Sequence, residues 1–304
     1  MQLQELRYFV AVAQSRHFTQ AAALTGVTQP SLSKQIHALE ESVGAALFTR
    51  ARGNVELTPA GEALLPRARR ILADVDTARL EIDELVGVRR GRLRLGATPS
   101  LCTSLVAPLL RRFRAAHPAV QLSIQEDGSQ DLVASLARGQ LDQAFIVLPD
   151  SGVDASLTAE PILREPLVVA SAQPLADGPV ALQRLRDHQL VMFRTGYDLR
   201  EATLRACHEA GFEPAFAVEG GEMDAVLGFV EAGVGVALVP SLVVAGRPGL
   251  QVTRLADRLQ RTIALAHRRD VTPTHSAAAM RTVLEDYLRE AVAWRSLPDG
   301  VEVI

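Results

Sequence analysis

The apolar positions of this chain change period near residue 90. Before that point they recur at helical steps. After it, short apolar runs alternate with helical stretches. Leu3, Leu6, Phe9, Val10 and Ala13 make a first helical stripe. Thr19 precedes a second short helix, 20–24, which Gly26 ends because glycine tolerates the left-handed geometry of a helix stop. A third helix follows at once, with Thr28 or Gln29 at its cap and Pro30 in its first turn, where the missing N–H would be unpaired anyway. Leu32, Ile36, Leu39 and Val43 line one face of it. Helix, tight glycine turn, helix is the helix-turn-helix arrangement. The next residues, 47–50 and 55–58, predict two short strands around a turn that carries Arg52. This is a basic-tipped hairpin, or wing, beside the third helix.

Thr58 and Pro59 open a long helix expected to reach about Val88. Leu64, Ala68, Ile71, Val75, Ala78, Ile82 and Leu85 follow one another in alternating steps of four and three, the apolar seam of a coiled coil. The seam predicts a dimer helix; a helix packed on its own domain is the competing reading. Pro66 is a blemish that removes one helix hydrogen bond. Beyond Gly91 the texture changes to strand 92–97, helix 100–117, strand 120–126, helix 129–138 and strand 141–148. A strand at 167–171 leads into a second set of the same kind. Strand 261–267 and a final helix, 273–294, close the chain. Such alternation predicts parallel sheets with right-handed crossovers, here in two lobes with a cleft between them. The predicted fold is α/β with an N-terminal winged helix-turn-helix in residues 1–58, a linker helix in 59–90 and a two-lobed domain in 91–304. Lobe I takes about 91–162 and 268–304, and lobe II about 163–267.

Composition narrows the classes. The chain has 304 residues, 48% of them hydrophobic and 22% charged, which fits a globular protein with a full core. No apolar run approaches a membrane span, and the N-terminus lacks the pattern of a secretory signal, so a cytoplasmic location is expected. Two cysteines make no disulfide framework. The net charge of −3 gives no global sign of a nucleic-acid partner, so any such partner must be recognised by local placement. Lys34 is the single lysine; the other basic residues are arginine.

The stretches LRYFVAVAQSRHFTQAAALTGVTQPSLSKQIHALEESVGAALFTR and LTPAGEALL, with RGRLRLGATPS, RGQLDQAFIVLP and GFVEAGVGVALVP further on, resemble the LysR-type transcriptional regulators over nearly the whole chain. The resemblance implies an operator-binding winged helix-turn-helix, a homodimer through the linker helix, assembly usually as a homotetramer, and a periplasmic-binding-protein-like effector domain. It leaves room for contact with RNA polymerase. On the third helix, Pro30, Lys34 and His37 lie opposite the apolar stripe, with Ser31 and Ser33 at its flanks. Helices of this motif present their N-terminal residues to base edges. Gln29 suits adenine, Lys34 guanine, and Ser33 several bases. Ser31, Thr28 and the helix N-terminus suit phosphate, and Arg50 and Arg52 suit the backbone or minor groove.

In α/β folds a ligand sits beyond the carboxyl ends of strands, against free N–H groups of helix N-termini. Three joints offer hydroxyls there: Thr98 with Ser100 and Leu101, Ser129, and Thr195. A carboxylate or similar anion suits them, and plain helix capping would also explain the serines and threonines. Glu219 and Glu222 at a fourth joint leave the sign of the ligand open. No phosphate loop, dinucleotide fingerprint or zinc spacing is present in the sequence, so no cofactor, metal or catalytic residue is expected. The peroxide-sensing branch of the family has two cysteines close together in the second lobe, and Cys102 and Cys207 do not fit it. A solute-binding protein or enzyme on the same two-lobed fold is the alternative.

Overall fold

A computed structural model describes residues 1–51, 54–85, 91–149 and 151–304. The chain divides into two compact units. One is formed by Met1–Arg90 and the other runs from Gly91 to Ile304, apart from the short Ala137–Gln140 turn.

In the first unit, α1 (Leu3–Ser15) starts with a capping box, in which the Gln2 N–H donates to Glu5 Oε2 at 2.6 Å. Helix α2 (Phe18–Leu24) begins one residue before Thr19, with His17 at its cap. It stops at Thr25, and Gly26 follows with φ +69°. In α3 (Gln29–Val43) it is Thr28 that caps, its side chain accepting from the Ser31 N–H. Leu32, Ile36 and Leu39 are buried against Leu6, Phe9 and Val12 of α1. Val43 departs from the expected face: it is 39% exposed, because α3 ends at Gly44 and the chain turns away before a fourth apolar position can be covered.

Strands β1 (Phe48–Ala51) and β2 (Asn54–Leu57) pair antiparallel and form the wing hairpin. Its orientation comes from Glu40, whose Oε1 accepts from the backbone N–H groups of Leu47 at 2.7 Å and Phe48 at 3.3 Å. Phe48 also packs on Phe9, ring centroids 5.3 Å apart. Helix α4 (Pro59–Leu85) is capped by Thr58, whose Oγ1 accepts from the Gly61 N–H, and it runs through Pro66 without a break. At 1.5 Å per residue it extends about 40 Å.

The apolar seam of α4 divides in two. Ala68 is fully buried in the core of its own unit, and Leu64 and Ile71 pack against that core. These first positions are therefore taken by α1, which lies against the start of α4 and uses the same apolar stripe, so Ala68 is unavailable to a second chain. Val75 is half-buried, and Ala78 and Ile82 are exposed, Ile82 by 60%. The side chain of Leu85 and the expected helix end at Val88 lie outside the described residues.

The second unit starts with β3 (Arg92–Ala97). The expected single helix 100–117 is instead α5 (Pro99–Leu101), a π turn over Cys102–Val106, and α6 (Ala107–Ala116). Pro108 supplies the reason: without an N–H it cannot close the regular bond of that turn, and the ladder loosens just before it. Then come β4 (Gln121–Glu126), α7 (Ser129–Ala137), β5 (Gln143–Val147) and β6 (Leu157–Ser171). A 3-10 turn leads to β7 (Gln189–Phe193), α8 (Asp198–Glu209), β8 (Ala215–Gly221) and α9 (Met223–Glu231). The chain closes with β9 (Ala237–Pro240), α10 (Ser241–Val244), β10 (Gln251–Arg254), β11 (Gln260–Arg268), α11 (His275–Ala293) and β12 (Glu302–Val303).

Strands β3, β4 and β5 pair in parallel, as expected, but the sheet is mixed, with β6 and β11 antiparallel to their neighbours. Strand β6 runs 15 residues rather than the expected five at 167–171. Its first part pairs with β11, and its last part pairs with β9 and β10. One strand thus belongs to both halves of the unit. One core gathers Leu93, Phe113, Phe145 and Leu284, and another gathers Val169, Phe193, Val226 and Leu238. The first, with a further cluster around Leu132, Ile146 and Ala264, fills one lobe and the second fills the other, and the β6–β11 pair is the hinge region between them.

Candidate operator interface and effector cleft

Burial of Leu32, Ile36 and Leu39 leaves the opposite face of α3 free. Thr28, Gln29, Pro30, Ser31, Lys34 and His37 are all exposed, and Ser33 is half-buried. The Gln29 side-chain amide donates to Ser33 Oγ at 2.9 Å, so these two polar ends are already aligned along the first turns. His37 Nε2 lies 3.4 Å from a Glu41 carboxylate oxygen. Lys34 has no ion-pair partner among the described residues and borders an open groove of about 360 Å³ between α3 and the wing, with Phe18 and Phe48 at its floor. An ammonium with no ion-pair partner, beside these exposed polar side chains, can meet phosphates and base edges without first breaking an ion pair. Arg52 and the side chain of Arg50 lie outside what the structure describes.

The second site lies between the lobes. Thr98, Pro99 and Ser100 enter it from lobe I, and Tyr197, Asp198 and Leu199 from lobe II. Gly128, Val147 and Arg261 complete the lining. The space they enclose is about 10 Å³, room for a single water at most. A ligand of any size must therefore part the lobes. Ser100 and Thr98 are buried, with their hydroxyls 3.4 Å apart, and neither makes a side-chain cap bond. Ser100 Oγ instead accepts from Arg261 Nη1 at 2.9 Å. The Arg261 Nη2 and Nε groups donate to Glu165 Oε1 at 2.6 and 2.9 Å, and Glu165 Oε2 accepts from the Leu242 N–H at 3.1 Å. Glu165 and Arg261 face each other across the β6–β11 hinge pair, with Glu165 wholly buried.

Ser129 is buried and spans the cleft with its backbone. Its Oγ accepts from the Val147 N–H at 3.1 Å, and its own N–H donates to Asp198 Oδ2 of lobe II at 3.3 Å. The Tyr197 ring stacks on Phe193, and burial pushes its phenol pKa up. Its hydroxyl is buried beside the Ser100 N–H, and its O–H meets no acceptor among the described residues.

Two expected ligand contacts are corrected by this geometry. Leu101 is fully buried in the lobe I core, and its N–H donates to the Thr98 carbonyl, so neither its side chain nor its amide faces the cleft. Thr195 is exposed and outside the lining, because Gly196 adopts φ +79° and turns the joint so that Tyr197 enters instead. Glu219 and Glu222 are not free acids. They pair with Arg200 and Arg194 at the rim. Arg261, Glu165, Tyr197 and Asp198 were not singled out by sequence; the one available cue was charge within otherwise apolar hinge strands.

The profile described as LysR substrate binding domain matches residues 87–289, and that described as bacterial regulatory helix-turn-helix protein, lysR family, matches residues 3–62. The chain belongs to the LysR family of transcriptional regulators. An uncharacterised HTH-type transcriptional regulator, YnfL of Escherichia coli, is 36% identical over 248 residues, 79% of this chain and 82% of that one. A full-length OxyR variant from Pseudomonas aeruginosa superposes with a TM-score of 0.70 at 29% identity, covering 95% of each chain. Full-length CbnR complexed with its target DNA gives a TM-score of 0.68 at 25% identity, covering 96% of this chain and all of that one. In this LysR-type chain no helix among the described residues is long and apolar enough to cross a membrane.

Proposed function

We propose that this regulator recognises a specific double-stranded operator through the N-terminal half of α3, with the wing on the flanking backbone, and that a small molecule entering between the two lobes changes the transcriptional outcome. The observation that carries the reading is the free polar face of α3, with Lys34 unpaired and the Gln29–Ser33 pair aligned beside it. Residues 1–58 would bind the operator, 59–90 would link and dimerise, and 91–304 would take the effector. The exposed Ala78 and Ile82 on a helix about 40 Å long support a homodimer through the second half of α4. Further pairing through the effector units would give the homotetramer usual in the family, and RNA polymerase would be the partner that reads the outcome in the cytoplasm.

The cleft supports binding rather than catalysis. Ser100 is bonded to a guanidinium, which takes no proton from a hydroxyl at neutral pH and so cannot serve as its base. A mobility-shift assay on the DNA upstream of the protein's own coding region tests the reading. A discrete complex that resists competitor DNA is expected, and equal competition by unrelated DNA would contradict it.

A further inference from the structure

We infer that Asp198 makes the cleft selective for a ligand carrying one ammonium group beside one carboxylate, such as an α-amino acid, rather than for a simple carboxylate. The inference rests on the cleft reading above and adds the chemical class of its ligand. Charge around the cavity decides it. Arg261 is the one cation among the lining residues, and its charge is consumed by Glu165, which accepts two of its N–H bonds and is wholly buried. At the rim, Arg194 is paired with Glu222 and Arg200 with Glu219. Asp198, in the first turn of α8, therefore remains the one acidic side chain of the lining, with no ion-pair partner among the described residues.

Asp198 Oδ2 accepts from the Ser129 N–H, and its other carboxylate oxygen has no hydrogen-bond partner among the described residues. A dianion, or a carboxylate without a cationic partner, would enter against that field; an ammonium would satisfy it. The opposite wall suits a carboxylate. It holds the Thr98 and Ser100 hydroxyls, 3.4 Å apart. A second, independent mark of a ligand position lies between the two walls. The Tyr197 hydroxyl is buried in the same lining, its oxygen beside the Ser100 N–H and its O–H without an acceptor among the described residues. Val147, Pro99 and Leu199 provide the apolar remainder.

The test uses the full chain, with ligand binding followed by calorimetric titration and by the shift of the melting profile. The probes are the common L-amino acids, each matched with the acid lacking its amine and the amine lacking its acid: for alanine, propionate and ethylamine; for leucine, 4-methylpentanoate and isoamylamine. At least one amino acid is expected to bind at least tenfold more tightly than both of its matched fragments. Asp198→Asn is expected to remove the advantage over the acid, and Asp198→Glu, which keeps the charge, to restore part of it. The ligand-free melting profile of each variant reports that it is folded. The inference is overturned if no amino acid binds, if the acids bind as well as their amino acids, or if Asp198→Asn keeps the preference. A simple carboxylate whose binding is lost with Ser100→Ala but indifferent to Asp198→Asn would leave the cleft reading standing and remove this one.

Discussion

Replacing Arg261 with methionine while leaving Glu165 in place should be among the most damaging single changes in the second unit. Glu165 is fully buried, and Arg261 is 9% exposed. The substitution strips the carboxylate of two charged hydrogen bonds and leaves it with the Leu242 N–H alone. Breaking one side of a buried pair costs about 3–5 kcal/mol, because the remaining ion keeps its desolvation penalty and loses its compensation. In a domain of this size each kcal/mol moves the melting midpoint by about 2–4 °C, so a fall of about 6–20 °C is expected. Glu165→Leu should cost a similar amount by stranding Arg261 and the Leu242 amide. The double variant, Glu165→Leu with Arg261→Met, should recover most of the loss, since well-packed apolar residues replace a buried pair at little cost. Differential scanning calorimetry of the four proteins closes the cycle and gives the coupling directly. If Arg261→Met alone costs less than about 1 kcal/mol, or if the two losses simply add, the pair does not hold the hinge.

Other consequences follow from single sites. In the first unit, a Cβ at Gly61 would sit 2.2 Å from the Leu47 carbonyl oxygen, so Gly61→Ala should cost about 1–3 kcal/mol through overpacking and weaken operator binding, as read by chemical denaturation and anisotropy. Glu160 is held below the ordinary carboxylate range by the Arg281 side chain and, less strongly, by His267. A depressed folded pKa gives stability that is present above the unfolded value and lost as pH falls through the folded one. The acid limb of the stability curve should therefore be shallower in Glu160→Gln, by pH-dependent melting. Burial, reinforced by the Glu126 charge, pushes the Cys102 thiol up to about 12, and burial raises Cys207 to about 11. Both should resist iodoacetamide at pH 8 in the native protein by orders of magnitude relative to a free thiol, as mass spectrometry would show.

How far each part was legible in the sequence depends on whether its cause is local. The inward face of α3 and its cap are set by residues within four positions of one another, and Leu32, Ile36, Leu39 and Thr28 announce them. Val43 shows the limit, since periodicity cannot say where the covering partner stops. Strand β6 was hidden by its own composition. Pro161 and Pro166 interrupt it, and prolines argue against a central strand. The fold absorbs Pro161 at a register shift opposite Ile263 and Ala264. Strands β10 and β12 are too short to give a periodic signal and form only because the edges of β6 are open to them. In the cleft, the hydroxyls at helix starts were visible, whereas the groups that set its charge were not. Arg261 meets a carboxylate 96 positions away, and Asp198 meets the Ser129 amide 69 positions away. The seam of α4 was plain as a pattern, but a heptad does not say whether α1 or a second chain will cover it.

On this account the polar face of α3 reads an operator. Fluorescence anisotropy with the full-length chain tests it most directly, comparing wild type and Lys34→Ala on the upstream operator and on a scrambled duplex of the same length across a salt series. Wild type should prefer the operator, and Lys34→Ala should lose about 1–3 kcal/mol, roughly 5–150-fold, on the operator with a smaller loss on the scrambled duplex. Equal affinities of wild type for both duplexes at every salt concentration, or an unchanged operator affinity in Lys34→Ala, would contradict it.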